Sequence, residues 1–279
     1  MSRKIVSAER PEDEYGVQYH IACRKGDVAN YVLLPGDPAR VQLIAKQWDS
    51  AKKVAEHREY ITYTGLYKGT AISCTSTGIG GPAAAIAVEE LLRVGADTFI
   101  RVGTTGALKK EINIGDIIIT SGAVRFDGTT QQYVWPGYPA VAHFEVVLAL
   151  VEAAEKMGVR YHVGITASSD SFYTGQGREG FRGYKPHSSE ILLNDVMKAN
   201  ILNFEMESST LLTLSNIYGA RAGSVCTAVA NRETNEFVEN AGIPSVIKVA
   251  NEAVKILSEW DKLKKSRGKK HFFPSLLNM

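Results

Sequence analysis

Cysteine is scarce and scattered here: Cys23, Cys74 and Cys226 are the only three in a chain of 279 residues. An odd set so widely spaced builds neither a disulfide framework nor a short-spaced zinc or redox site, and it points to a reducing compartment. Long apolar runs are missing as well. No stretch of about 18 apolar residues is available to span a bilayer. The opening Met1-Ser2-Arg3-Lys4, followed by acidic and polar residues, lacks the apolar core of a signal peptide. The expectation is a soluble cytoplasmic protein. Charge of one sign is not in excess, since the formal net charge is +2. That excludes a field strong enough to mark a nucleic-acid or membrane binder. The exception is local: 262–270 carries six cations and no acid. No linker rich in Gly, Pro or Ser divides the chain, and no repeat is found. One domain over 1–279 is expected, with its core over about 20–262 and a basic tail over about 263–279 outside that core.

What is present is the material of a large core, with 44% hydrophobic and 22% charged residues. Asn30-Tyr31-Val32-Leu33-Leu34 reads as a short buried strand closed by Pro35-Gly36-Asp37-Pro38. Pro38 suits the first turn of a helix that continues through 40–45. Further strand-like runs occupy 70–75, 98–102, 116–123, 162–167 and 222–230, and helix-like stretches lie at 83–94, 142–157, 206–218 and 245–262. The alternation predicts an α/β layered domain with a largely parallel or mixed sheet. The polar, glycine-rich stretch 175–194 reads as a long surface loop, a kind of segment that often carries function.

In such sheets ligands collect where strands end and helices begin, and four junctions are chemically conspicuous. Gly36 lets backbone approach an anion at a helix start, with Arg40 one turn further on; taken alone, that segment reads better as a plain turn with a solvated Arg40. Ile100-Arg101-Val102-Gly103-Thr104-Thr105-Gly106 ends an apolar strand with an arginine that needs an anionic partner. Phosphate would suit the planar fork of Arg101 and the hydroxyl of Thr104; an internal carboxylate is the alternative. Thr77-Gly78-Ile79-Gly80-Gly81-Pro82 is an incomplete dinucleotide fingerprint and marks a tight turn before a helix. In Asn203-Phe204-Glu205-Met206-Glu207-Ser208-Ser209 the carboxylates either cap a helix or accept sugar hydroxyls. Arg125 and Asp127 read as an internal ion pair.

Taken in order, these segments resemble the uridine phosphorylase branch of the nucleoside phosphorylase family over about His20 to Lys262, with His57-Arg58-Glu59 and Ser168-Ser169-Asp170-Ser171-Phe172-Tyr173 adding to the match. The resemblance implies a three-layer α/β/α fold with a central mixed, partly barrel-like sheet. It also implies a homo-hexamer built as a trimer of dimers, with sites shared across the dimer interface. Gly36, Arg40, Arg101 and Thr104 would form the phosphate site, completed by Arg58 from a neighbouring subunit. Met206 and Glu207 would contact ribose, and His20, also donated across the interface, would face the 5′-hydroxyl. Phe172, Gln176, Arg178 and Arg232 would hold the base. Catalysis would fall to Arg101, Thr104 and Glu207, with inorganic phosphate as co-substrate and no organic cofactor.

The implied reaction is inverting phosphorolysis of uridine to uracil and α-ribose 1-phosphate without a covalent intermediate. Purine-cleaving relatives usually carry an aspartate where this chain reads Val229-Ala230-Asn231-Arg232, and Gln176-Gly177-Arg178 is the pyrimidine signature. A purine nucleoside phosphorylase is the nearest alternative, and a non-catalytic nucleoside-binding protein is the alternative from another class. Glu59 and Ile79 match residues that bind a monovalent cation between subunits in some relatives, whereas Ala83 stands where those relatives have serine.

Overall fold

The computed structural model describes residues 4–278; residues 1–3, on which the reading of the N-terminus partly rests, lie outside the described residues. The strand β1 (Tyr31–Leu34) is almost wholly apolar because it is flanked on both sides, pairing in parallel with β4 (Thr70–Thr75) and β5 (Thr98–Ala107). Helix α1 (Pro38–Ala45) begins where the sequence places it. Asp37 caps it by accepting from the Ala39 N–H at 2.8 Å, and Pro38 occupies the first turn, where a missing N–H costs nothing.

Eleven strands form one mixed sheet. One wing carries the antiparallel strands β2 (Ser50–His57), β3 (Tyr60–Tyr67) and β4. The other closes on itself. β5 pairs with β10 (Arg221–Asn231), β10 with β6 (Ile117–Phe126), β6 with β8 (Tyr161–Ser169), β8 with β9 (Asn203–Glu205), and β9 returns to β5. The short strands β7 (Ala140–Val141) and β11 (Glu236–Phe237) attach to β6 and β10. This ring of five strands is the barrel-like part expected from the resemblance.

Helices cover both faces of the sheet. The helices α1, α3 (Phe144–Met157) and α6 (Ile243–Ser266) pack one core with Leu33, Ile100 and Val225. The other core gathers α2 (Gly81–Arg93) and α5 (Ser208–Ile217) around Val32 and Phe99. Alternate residues of β1 and β5 thus feed opposite layers, as the period of a strand requires.

Three expectations are corrected, and one unassigned stretch is filled in. The stretch 175–194 is not one loop: α4 (His187–Lys198) begins inside it. Arg125 and Asp127 do not pair with each other. Thr130 stands between them, accepting from Arg125 Nε at 2.9 Å and donating its hydroxyl to Asp127 at 3.0 Å. The segments 50–57 and 60–67, unassigned from sequence, form a hairpin whose two-residue turn is Arg58-Glu59. The tail beyond 262 is also not outside the core. Helix α6 runs on to Ser266, and Phe272 and Leu276 are buried. Phe272 stacks on Trp260 with ring centroids 3.8 Å apart, and its N–H donates to Glu145 at 2.7 Å. Lys264, one of the tail's cations, pairs with Glu145 and Asp261. Phe272→Ala therefore costs about 3–5 kcal/mol through the cavity it leaves, measurable as a lowered denaturation midpoint. An unchanged midpoint would return the tail to the solvent.

Among the described residues no helix is long and apolar enough to cross a membrane.

Candidate active site

The loops after β1 and β4 are zipped together at the mouth of the ring. Thr77 N–H donates to the Pro35 carbonyl at 2.9 Å, and Gly78 N–H to that of Gly36 at 3.0 Å. A side chain at Gly36 would begin 3.0 Å from the Gly78 carbonyl oxygen and 4.0 Å from Arg101 Nη1. Glycine is thus what allows this backbone to lie beside the guanidinium.

Arg101, on β5, is 6% exposed, and both carboxylates of the 203–209 segment meet it. Its Nε lies 2.7 Å from Glu205, and its Nη2 lies 2.5 Å from Glu207. Burial opposes the Arg101 charge, but Glu207 and Glu205 outweigh it and raise the pKa. The internal-carboxylate reading of this arginine is what the structure shows, and Nη1 still has no hydrogen-bond partner among the described residues. Arg40 sits nearby, 8% exposed. Its Nη1 donates to the Val102 carbonyl at 3.1 Å, and no carboxylate pairs with it among the described residues. Burial and the neighbouring Arg101 both lower its pKa. Two buried cations, one without a counter-ion and one with a spare donor, favour an anion between them.

The two carboxylates divide their work. Glu205 accepts from the N–H groups of Glu207 and Ser208, both at 2.9 Å, and from the Ser168 hydroxyl. It thereby fixes the start of α5 and is fully engaged. Glu207 accepts from Gly80 N–H at 2.5 Å and lines the cavity. Burial raises its pKa; Arg101 opposes that rise and Glu205 adds to it.

Gly103 holds the arginine in place from behind. A Cβ there would start 2.7 Å from Cys226 Sγ and 3.0 Å from Arg101 Cζ. Gly103→Ala should therefore push the guanidinium off its carboxylates and lower turnover about 10–100-fold, the scale of an ångström-sized misplacement. Adding Cys226→Ala relieves the crowding and should recover most of that loss. A single variant with full activity would show that Arg101 tolerates displacement.

The cavity measures about 590 Å³. Gly36, Arg40, Arg101 and Thr104 all line it, as do Met206, Glu207, Phe172, Gln176 and Arg178. Thr105, adjacent to Thr104 in sequence, is spent on structure, donating to the Phe204 carbonyl at 2.6 Å. Arg178 donates to Gln176 Oε1 and the Phe172 carbonyl, both at 2.6 Å, and lies 4.0 Å over the Phe172 ring. Burial, then the proximity of Arg232, pushes the Arg178 guanidinium down to about 10, so it stays charged at neutral pH. With Oε1 held by Arg178, Gln176 is oriented, and its Nε2 makes no hydrogen bond among the described residues.

Three assigned residues lie elsewhere. Arg232 does not line the cavity: its Nη1 donates to the Gln176 carbonyl at 2.8 Å, so it braces the backbone of Gln176, which does. His20 and Arg58 are also outside the cavity. Both flank Tyr19, whose ring centroid is 4.8 Å from that of His20 and 5.7 Å from Arg58 Cζ. Arg58 has a φ of +54°, a left-handed turn conformation that costs about 1 kcal/mol or more outside glycine. Sequence reasoning missed Phe237, which lines the cavity while 64% exposed; Gly106, Val229 and Ala230, quoted from sequence only within longer stretches, line it too.

Ile79 also lines the cavity, and its side chain is 78% exposed. For a monovalent cation held between subunits, this chain offers few side-chain donors. Ala83 brings no hydroxyl, and its carbonyl already accepts from Tyr60 at 3.0 Å, leaving Glu59 and the Ile79 backbone. Among the described residues no cluster of three or more His, Cys, Asp or Glu could hold a metal ion.

Against known proteins, residues 30–259 match the phosphorylase superfamily model. The chain belongs to the phosphorylase superfamily. Within it, the chain is 61% identical over 276 residues to a uridine phosphorylase of Thermococcus kodakarensis, covering 99% of both chains. It is 41% identical over 249 residues to the uridine phosphorylase of Escherichia coli K12, covering 86% of this chain and 95% of the relative. A guanosine phosphorylase of Halorubrum lacusprofundi is also 41% identical, over 214 residues, 77% of this chain and 83% of the relative. Phosphorylases of opposite base class thus stand at the same distance, so overall identity near 40% does not decide the base.

Proposed function

We propose that this phosphorylase cleaves uridine with inorganic phosphate, inverting the anomeric carbon to give uracil and α-ribose 1-phosphate. The observation that carries the reading is the buried pair Arg40 and Arg101, with the spare Nη1 donor of Arg101 turned beside Gly36. A dianion held there lies beneath the sugar, stabilises positive charge as the glycosidic bond lengthens, and then attacks. Glu207 accepts from sugar hydroxyls, and Met206 offers an apolar surface. The uracil leaves as an anion, so it needs donors at its oxygens rather than a strong acid. Gln176 Nε2 and Arg178 supply them. No cysteine takes part: Cys226 is buried, and burial holds its thiol up at about 11.

Preference for uridine over purine nucleosides rests on the Gln176–Arg178 pair and on the 61% relative, itself a uridine phosphorylase. The test is base release from uridine, thymidine, inosine and adenosine with phosphate varied. Uridine should react fastest and only with phosphate. Release without phosphate, or inosine ahead of uridine, overturns the reading.

The working unit in this proposal is a cytoplasmic hexamer, a trimer of dimers. Its support is that His20 and Arg58 lie together around Tyr19, outside their own chain's cavity. Each would complete a neighbour's site. Mixed after dissociation, inactive Arg58→Ala and Arg101→Ala protomers should regain about a quarter of wild-type activity, because half the dimers are mixed and each holds one intact site. No recovery in a verified mixed assembly would show that Arg58 serves its own chain.

A further inference from the structure

The N-terminal arm makes a carboxylate contact that the reaction above leaves unused. Glu90, on α2, is 4% exposed, and among the described residues no lysine or arginine pairs with it. All its bonds go to the arm. It accepts from the N–H of His20 at 3.0 Å, the N–H of Ile21 at 2.8 Å and His20 Nδ1 at 2.7 Å. His57 Nδ1 lies 3.0 Å from the His20 carbonyl, and the rings of Tyr19 and Tyr60 meet the imidazole edge-on at 4.8 and 6.5 Å. The His20 side chain nonetheless keeps 25% of its surface exposed.

A carboxylate only accepts, so the proton facing Glu90 belongs to Nδ1. A neutral imidazole then has a lone pair, not a proton, on Nε2. A buried carboxylate with no cation is costly unless its oxygens are filled, and here two backbone N–H groups and one imidazole fill them.

We propose that Glu90 is a positioning residue: it pins the arm to α2 and holds His20 with Nδ1–H inward, so that Nε2 is presented as an acceptor to the sugar 5′-hydroxyl in a neighbouring subunit's cavity. This rests on the shared-site reading above. Glu90→Gln keeps the size and one oxygen for the backbone, but its amide can donate to Nδ1 and reverse the tautomer. The expected result is a fall of about tenfold in kcat/KM for uridine, the scale of one lost hydrogen bond, and no change for 5′-deoxyuridine. His20→Ala should lower the same ratio, and adding Glu90→Gln to it should change nothing more. The ¹⁵N spectrum of the wild-type imidazole should show the Nδ1–H form.

An equal fall on both nucleosides, or none on uridine, overturns the proposal. So does an Nε2–H tautomer in the wild-type spectrum, which decides the matter even if Glu90→Gln does not fold. If His20→Ala leaves the ratio unchanged while phosphate-dependent cleavage persists, the positioning role falls and the reaction stands. If the wild type does not cleave uridine with phosphate, the reaction itself falls.

Discussion

An Arg101→Ala variant should lose phosphate-dependent uridine cleavage by about a thousandfold, the order seen when a preorganised donor is taken from a buried charge. The cause is twofold. The nucleophile loses a planar donor beside Gly36, and Glu205 and Glu207 lose their shared cation. The second loss also bears on folding, since two buried carboxylates left unpaired cost about 3–5 kcal/mol. Arg101→Lys separates the two effects. An ammonium restores charge between the carboxylates but not the fork that reaches both of them and the anion. The lysine variant should therefore recover much of the thermal stability and little of the rate. Initial rates at varied phosphate, beside thermal unfolding, measure both. Activity within tenfold of wild type in Arg101→Ala would remove this residue from the anion site.

Glu207→Gln is expected to lower kcat about a hundredfold with little change in the melting temperature. The amide keeps the shape and still accepts from Gly80, but it no longer balances Arg101 or accepts strongly from sugar hydroxyls. The loss should be smaller for 2′-deoxyuridine, which offers one hydroxyl fewer. The variant should also change the pH profile. Burial raises the Glu207 pKa above the ordinary carboxylate value, so wild-type activity falls on acidification earlier than an exposed glutamate would make it. That acid limb should vanish in the glutamine variant. In stability the sign runs the other way. A carboxyl with a raised folded pKa binds its proton more tightly when folded, so its contribution is present at low pH and is lost as pH rises through that pKa. An acid limb that survives Glu207→Gln would assign it to another group.

Arg101, Arg40 and the turns beside them were readable because their chemistry is conspicuous where it stands. Arg101 interrupts an apolar strand, Pro38 follows Asp37 at a helix start, and glycines sit at both turns. Burial confirms that logic: a cation placed in a strand buried on both faces must have partners. Elements without a buried face were not readable. Strand β2 reads Ser-Ala-Lys-Lys-Val-Ala-Glu-His and is largely exposed, so no apolar alternation marks it. Helix α4 buries only Ser189 and Val196, and its polar sequence resembles the loop before it. Strand β9 is three residues long, below any periodic signal. Phe237 reaches the cavity from a two-residue strand and carries no local mark of that role. The tail was misread for a related reason. Its lysines suggest solvent, while Phe272 and Leu276, which follow them, and Lys264 itself make buried contacts.

The short strand β9 has an outsized effect on what can vary in this protein. Its pairings Gly106↔Phe204 and Ser168↔Glu205 lock the segment that carries Glu205 and leads to Glu207 to β8 and to β5, the strand bearing Arg101. Slipping it by one residue would turn Glu205 and Glu207 to the opposite side of the chain. A slip in the ring would thus cost the site its geometry, and the separation between Arg101 and Glu207 is held as a fixed length. Phe172, Gln176 and Arg178 are held instead by the segment between β8 and α4, which contains only short 3-10 turns. Selection could refit that segment to a new leaving group while the reacting centre stayed as it was.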